Sequence, residues 1–251
     1  MKHLYAAGLS LLAVCATATT TSAHADQTDQ GGNGWRYQLT PYLWMTGMNG
    51  HLRPLANSPT AHVNESFSEL LSNLDAALFL SGTARQGQYV LQGDLSYASV
   101  SDKASLPLGL TANTRLRQTA LTLTGGINRP LGTGSSLDLM AGVRLWDIKA
   151  RVQVPGLGSF ESREHFADPI LAARWHHSLG PRWSSLVYAD AGGFGVGSDS
   201  TWQIMASLNY EIRNSLYLSF GYRHLKVNYR DGGQRLDFSM SGPLVGATYR
   251  F

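Results

Sequence analysis

The stretch WQIMASLNYEI, residues 202–212, decides the fold. Trp202, Ile204, Ala206, Leu208, Tyr210 and Ile212 fall at every second position, while Gln203, Met205, Ser207, Asn209 and Glu211 fall between them. Successive side chains of a strand point to opposite faces, so this period of two gives one apolar and one mostly polar face, which no helix would keep together. SSLDLMAGVRLW (residues 135–146) repeats the pattern with Leu137, Leu139, Ala141, Val143 and Leu145 against Ser136, Asp138, Met140, Gly142 and Arg144. YVLQGDLSY (residues 89–97) does so with Tyr89, Leu91, Leu95 and Tyr97 against Gln92, Asp94 and Ser96.

Such segments recur about ten times, beginning near Trp35, Ala76, Gln88, Leu110, Ser135, Ser162, Arg182, Ser200, Ser215 and Arg235. Each is long enough to cross a bilayer as a tilted strand, which takes ~9–11 residues. Tight connections at Gly87, Pro130, Leu179 and Arg213 alternate with longer polar ones at residues 46–75, 101–109, 155–161, 192–199 and 230–234. Short turns at one end and long loops at the other are the layout of an up-and-down antiparallel transmembrane β-barrel, here of about ten strands, with eight or twelve as neighbouring even counts.

Soluble sandwiches also alternate, so the strand ends matter. With the N-terminus on the short-turn side, that end carries Trp35, Tyr37, Tyr89, Trp175, Trp183, Tyr210, Tyr217, Tyr249 and Phe251. The other end carries Tyr97, Trp146, Phe166, Trp202, Tyr222 and Tyr229. Two aromatic girdles around Leu/Val/Ala centres are what a bilayer selects. In the last strand, Leu236, Phe238 and Met240 are apolar upstream and Val245, Ala247 and Tyr249 downstream, so the apolar parity changes across Gly242 and Pro243. A β-bulge there is expected to restore the register.

The N-terminus reads as an export signal over residues 1–25: Lys2, a short apolar run over residues 4–14, and Ala23-His24-Ala25 before a cleavage site. The barrel domain then spans residues 26–251. Cys15, the sole cysteine, lies within the signal, where Val14 departs from the small residue that precedes a lipidated cysteine. An exported chain without thiols forms no disulfides or zinc thiolates. A formal net charge of +3 without a basic run excludes a nucleic-acid face. ESFSELLSNLD (residues 65–75) places Phe67, Leu70, Leu71 and Leu74 at helical spacing after Asn64 or Ser66 as cap, so one short helix is expected in the first long loop, where residues 51–63 could add a hairpin.

Alternation assigns to the lumen the charges Arg36, Asp94, Asp138, Arg144, Asp168, Arg174, Asp190, Glu211, Arg223 and Asp237, together with Arg85, Arg115 and Arg117. They read as a lattice of paired charges filling a narrow interior, or as the lining of a small selective pore. A rim enzyme would use His165 or His224 with Ser162, Ser198 or Asp199, but no spacing ties a serine to a histidine. His176 and His177 are adjacent on a strand, face opposite ways and cannot share a metal. The glycine-rich GGFGVGSDSTW (residues 192–202) fails the dinucleotide and phosphate-loop spacings, and Gly197 stands where a calcium repeat needs aspartate. It reads as a rim turn flanked by Asp190 inward and Trp202 outward. No catalytic, cofactor or metal residues are expected.

WRYQLTPYLWMTGMNG (residues 35–50), FADPILAAR (166–174), DAGGFGVGSDSTWQ (190–203), GYRHLKVNY (221–229) and GPLVGATYRF (242–251) resemble a widespread family of proteobacterial outer-membrane β-barrel proteins of uncharacterised activity. The resemblance implies fold and location: a barrel in the outer membrane, in contact with lipid including lipopolysaccharide. The terminal strand ending at Phe251 resembles the signal read by the barrel-assembly machinery. The expected role is structural or narrow channel-like, with a rim enzyme acting on lipid or peptide, or a loop-displaying adhesion scaffold, as alternatives.

Overall fold

The computed structural model describes residues 34–53, 60–105, 111–156 and 158–251. The export signal, its cleavage after Ala25 and Cys15 fall outside the described residues. The elements are β1 (Arg36–Trp44), β2 (Gly47–Arg53), β3 (Ala61–Glu65), α1 (Phe67–Ser72), β4 (Leu74–Gln86), β5 (Tyr89–Ser105), β6 (Thr111–Pro130), β7 (Ser135–Val154), β8 (Gly158–Ser178), β9 (Trp183–Gly192), β10 (Ser200–Arg213), β11 (Leu216–Asp231) and β12 (Gln234–Arg250). Each of β4 to β12 pairs antiparallel with the next, and β1 joins β4 to β12, closing a ring of ten strands. β2 continues β1 along β12, and β3 pairs on its other side, so the expected hairpin exists as two extra strands beyond the ring.

The ladders line up residues into rows, and the rows show where the barrel meets lipid. Across β5–β8, the outward row Leu95, Leu121, Leu145 and Ala167 is the last apolar one. Tyr97, Thr119, Asp147 and His165 follow it outward, then Ser99, Arg117, Lys149 and Arg163. Below that boundary Leu123, Leu139, Leu171, Ile204, Leu208 and Phe220 stand 46–60% exposed, a band fit for hydrocarbon.

The interior follows the reverse rule. Below the boundary β7 points Asp138 and Arg144 inward; above it the same face carries Trp146, Ile148 and Val154, all buried. Where water replaces lipid outside, the polar side chains go outward and the apolar ones inward, as in a soluble barrel. This corrects the expected β-bulge: the β11–β12 ladder runs unbroken from Leu216↔Tyr249 to Asp231↔Gln234. Leu236, Phe238 and Met240 point into the barrel at every second position, in phase with Leu244. The apolar parity changes because the surrounding solvent does.

The same inversion corrects two other expectations. Trp146, Phe166 and Tyr229 belong to an internal core, leaving Tyr97, Trp202 and Tyr222 on the outward side of that girdle. Tyr217 also turns inward, with the Arg250 guanidinium 4.0 Å over its ring. Much of three long polar connections is strand among the described residues: β5 runs to Ser105, β8 starts at Gly158, and β11 and β12 run to Asp231 and from Gln234, all past the boundary. The helix stands in the wall between β3 and β4, capped by Ser66, whose hydroxyl accepts from the Glu69 N–H while Glu69 accepts from the Ser66 N–H at 2.7 Å. Its Leu70 packs against the internal core.

Candidate functional site

The lumen has three levels. At the turn end a cavity of about 600 Å³ is lined by Arg36, Gln38, Arg85, Asn128, Arg174, His176 and Tyr217 among others. Small inward residues make this room: Ser81, Thr83, Ser136, Ser207 and Ser219 stand where larger chains would fill it. Asp138 anchors one wall, accepting from Arg85 at 2.8 and 2.6 Å, from Arg174 Nε at 2.8 Å and from Asn128 at 2.7 Å.

Above it lies a septum of buried charge. Arg144, on β7, donates to Asp190 of β9 at 2.6 Å, to Thr122 of β6 at 2.9 Å and to Thr201 of β10 at 3.1 Å. Its side chain is 1% exposed and that of Asp190 0%. Arg223 donates to Gln203 at 2.8 Å and to Asp94 at 3.2 Å, and its guanidinium lies 4.6 Å over the Trp44 ring. Asp168 accepts from Trp146 Nε1 at 3.1 Å and from the Ser198 N–H at 2.6 Å. A charge without water is stable only when paired and hydrogen-bonded, and the strands supply these partners from opposite sides of the ring.

The rim turn of residues 193–199 has folded down into this septum rather than standing away from the barrel. Gly193, Phe194 and Gly195 take φ of 86°, 50° and 76°, and the turn delivers Ser198 to full burial beside Asp168. A Cβ on Gly197 would stand 2.4 Å from the Ala167 carbonyl oxygen, so only glycine lets the turn lie that close. Over it, the Phe166 and Tyr229 rings stack at 4.2 Å and bridge β8 to β11. Burial, then the charge of Glu164, raises the Tyr229 phenol to about 12, so it remains a donor to Glu164 at neutral pH.

The third level is the apolar core of Trp44, Met48, Phe79, Trp146, Ile148, Leu225, Val227, Phe238 and Met240. It leaves a cavity of about 70 Å³ among Leu52, Leu116, Ile148, Leu236 and neighbours. Among the described residues this small cavity and the large one share no lining residue.

Of the expected lumen charges, Asp94, Asp138, Arg144, Asp168, Arg174, Asp190 and Arg223 meet in the septum and the wall below it, Arg36 lines the open cavity, and Glu211 accepts from Tyr217 near the turn end. Asp237 is a correction. Its carboxylate faces outward above the boundary, paired with Lys226 and, at 3.1 Å, with Arg235, and the Lys226 hydrogen bond holds it below the usual aspartate range. Arg115 and Arg117 also face outward there. Alternation fixed their parity relative to a neighbour, but not that the polar face would change sides.

The rim candidates do not assemble. Ser162 and His165 face opposite sides of β8, and Ser198 is buried in the septum. His224 Nδ1 lies 2.6 Å from Ser241 Oγ on the outer wall, a pair that sequence spacing missed because it is created by the β11–β12 register. Among the described residues no carboxylate contact orients this imidazole, whose ring packs 4.7 Å from Trp202. Among the described residues no group of three His, Cys, Asp or Glu side chains could hold a metal ion.

A closed ten-stranded ring with a lipid-fitted exterior and a buried-charge septum defines an outer-membrane-type β-barrel protein. Structural comparison agrees on the fold. The chain is similar to the translocator domain of the autotransporter NalP from Neisseria meningitidis, with a TM-score of 0.50 and 14% identity over 89% of this chain and 90% of that one. It is similar to the outer-membrane protease OmpT from Escherichia coli, with a TM-score of 0.50 and 10% identity over 87% and 97%. No protein-family model and no curated protein sequence matches the chain. Likeness at these identities speaks for the fold alone.

Proposed function

We propose that the chain is a non-catalytic, integral outer-membrane barrel that remains sealed, with its wide cavity open only at the periplasmic end. The septum carries this reading: Arg144 pairs with Asp190 over the intervening β8 with almost no exposed surface, and Arg223 of β11 reaches Asp94 of β5 across the lumen, both beneath an apolar core. A solute would have to break these pairs and desolvate again on the far side. The structural reading therefore outweighs the narrow channel, and the absence of an oriented Ser–His pair among the described rim candidates favours it over an enzyme.

Export through the signal of residues 1–25, with residues 26–251 as the mature barrel, fits this placement. The terminal aromatic fits recognition by the barrel-assembly machinery, since Phe251 is 66% exposed and stacks at 5.7 Å on Tyr37 beside the closing β1–β12 seam. Membership of the uncharacterised outer-membrane family suggested by the LTPYLW and GGFGVGSDSTW stretches completes the proposal. Single-channel recording in planar bilayers tests it. The wild-type protein is expected to insert, to migrate heat-modifiably on gels and to pass no steady current, whereas a stable open level would refute the sealed reading.

A further inference from the structure

We propose that the outward wall of β6, β7 and β8, just beyond the apolar band, is a binding site for the phosphate groups of a lipopolysaccharide-class amphiphile in the outer leaflet. The inference rests on the outer-membrane placement proposed above and adds a ligand and a site to it.

Arg117, Lys149 and Arg163 are direct ladder partners, so three cations stand side by side on adjacent strands. Directly opposed residues have Cβ atoms ~4.5–5.5 Å apart, and like charges in that relation repel. A sheet tolerates such a row when an anion bridges it. The next row outward adds Arg115 and Arg151. Against these five cations stand Asp75, Asp147 and Glu161: Asp147 takes Arg163 at 2.8 Å, Glu161 takes Lys149 and Arg151 at 2.6 Å each, and Asp75 lies 3.6 Å from Arg115. Among the described residues Arg117 has neither a hydrogen bond nor an ion pair, and only the longer-range charge of Asp75 faces it.

The depth identifies the anion. Arg117 lies four residues outward of Leu121 in the last apolar row. At ~3.3 Å per residue and a tilt of about 45°, that places the cations roughly 9 Å above the hydrocarbon edge, at headgroup level. Phosphomonoesters on a lipid anchored there would meet three to five donors without leaving the leaflet, and each carries more negative charge than a phosphodiester. The opposite wall also lines up three cations, Arg230, Arg235 and Arg53, but each is already engaged: Lys226 and Arg235 share Asp237, Arg230 donates to Asp199 at 2.8 Å and Arg53 donates to Thr60 at 2.9 Å, so no guanidinium there is left open as Arg117 is.

The test uses the full mature barrel in phosphatidylcholine nanodiscs, titrated with lipopolysaccharide, with the same lipopolysaccharide stripped of its lipid phosphates, and with phosphatidylglycerol. Native mass spectrometry reads the bound fraction. Intact lipopolysaccharide is expected to bind at least tenfold tighter than either of the others. The triple substitution Arg117→Ala, Lys149→Ala, Arg163→Ala should weaken it on the order of 100-fold, taking the usual surface contribution of each cation. Lys226→Ala, Arg230→Ala, Arg235→Ala removes equal charge from the other wall and should change affinity less than about threefold. Equal binding of the dephosphorylated lipid or of phosphatidylglycerol, or equal loss in both triple variants, would overturn the site. Heat-modifiable migration is read for every sample: a wild type that never inserts defeats the placement, whereas one that inserts and ignores the phosphates defeats this inference alone.

Discussion

The septum makes a quantitative prediction through Arg144→Met, which keeps most of the aliphatic stem and removes the guanidinium. In the wild type that group donates to Asp190, Thr122 and Thr201 at 2.6, 2.9 and 3.1 Å, and the remaining acceptor of weight is a carboxylate with no exposed surface. Taking away one partner of a buried pair costs ~3–5 kcal/mol, chiefly from the charge left behind rather than from the lost bonds. Against a usual total of roughly 5–15 kcal/mol, the urea midpoint of the barrel in lipid vesicles should fall by about 1–5 M, for a slope of ~1–3 kcal/mol per M. Loss of the heat-modifiable band, read alongside tryptophan fluorescence, would follow it. Arg144→Met combined with Asp190→Leu removes both charges and should return to within about 2 kcal/mol of wild type. If the single variant costs less than about 1 kcal/mol, Asp190 is reached by water, and the lumen is a passage rather than a seal.

The lipid boundary predicts a sharp difference between two positions on one strand. Leu123→Arg, inside the apolar band, should destabilise the inserted barrel by ~2–4 kcal/mol, while Thr119→Arg, one row beyond its edge, should cost ~0–1 kcal/mol; equal effects by urea titration in vesicles would mean that the band has been misplaced. Acid should loosen the outer part of the β7–β8 hairpin. Hydrogen bonds from Arg163 to Asp147 and from Lys149 to Glu161 hold these carboxyls below their ordinary 3.8 and 4.5. Groups with a depressed folded-state pKa stabilise above the unfolded value and lose that contribution as pH falls through the folded one. The urea midpoint should therefore be flat from pH 7 to about 5 and drop below about 4, with a shallower drop in Asp147→Asn, Glu161→Gln; an identical slope in that variant would remove the explanation.

Strand number, strand starts and the facing of Trp202 and Asp190 were legible because alternation is local: each strand reports its own two faces without reference to the others. The hairpin at residues 51–63 and the capped helix were legible for the same reason, since cap and spacing lie within a few residues. Two kinds of information were not local. Which face is apolar depends on what surrounds the strand, so the parity change at Gly242–Pro243 resembled a slip in register when it marked the passage from lipid to water. Contacts between strands that are not neighbours depend on register: Arg144 lies 46 residues from Asp190, and Phe166 lies 63 from Tyr229 in a 4.2 Å stack.

That distinction bears on the candidate site itself. A period-two sequence with constant apolar parity describes a barrel that ends at the membrane surface. A change of parity within one unbroken strand describes a barrel that continues into water and closes over its own lumen. In β7 the change falls between Leu145 and Asp147 outside and between Arg144 and Trp146 inside, one residue apart. The charged septum therefore sits directly beneath the apolar core because both boundaries are set by the same plane. Burying Arg144 and Asp190 at that level excludes water from below, the core excludes it from above, and neither layer alone would need the other's position to be fixed so closely.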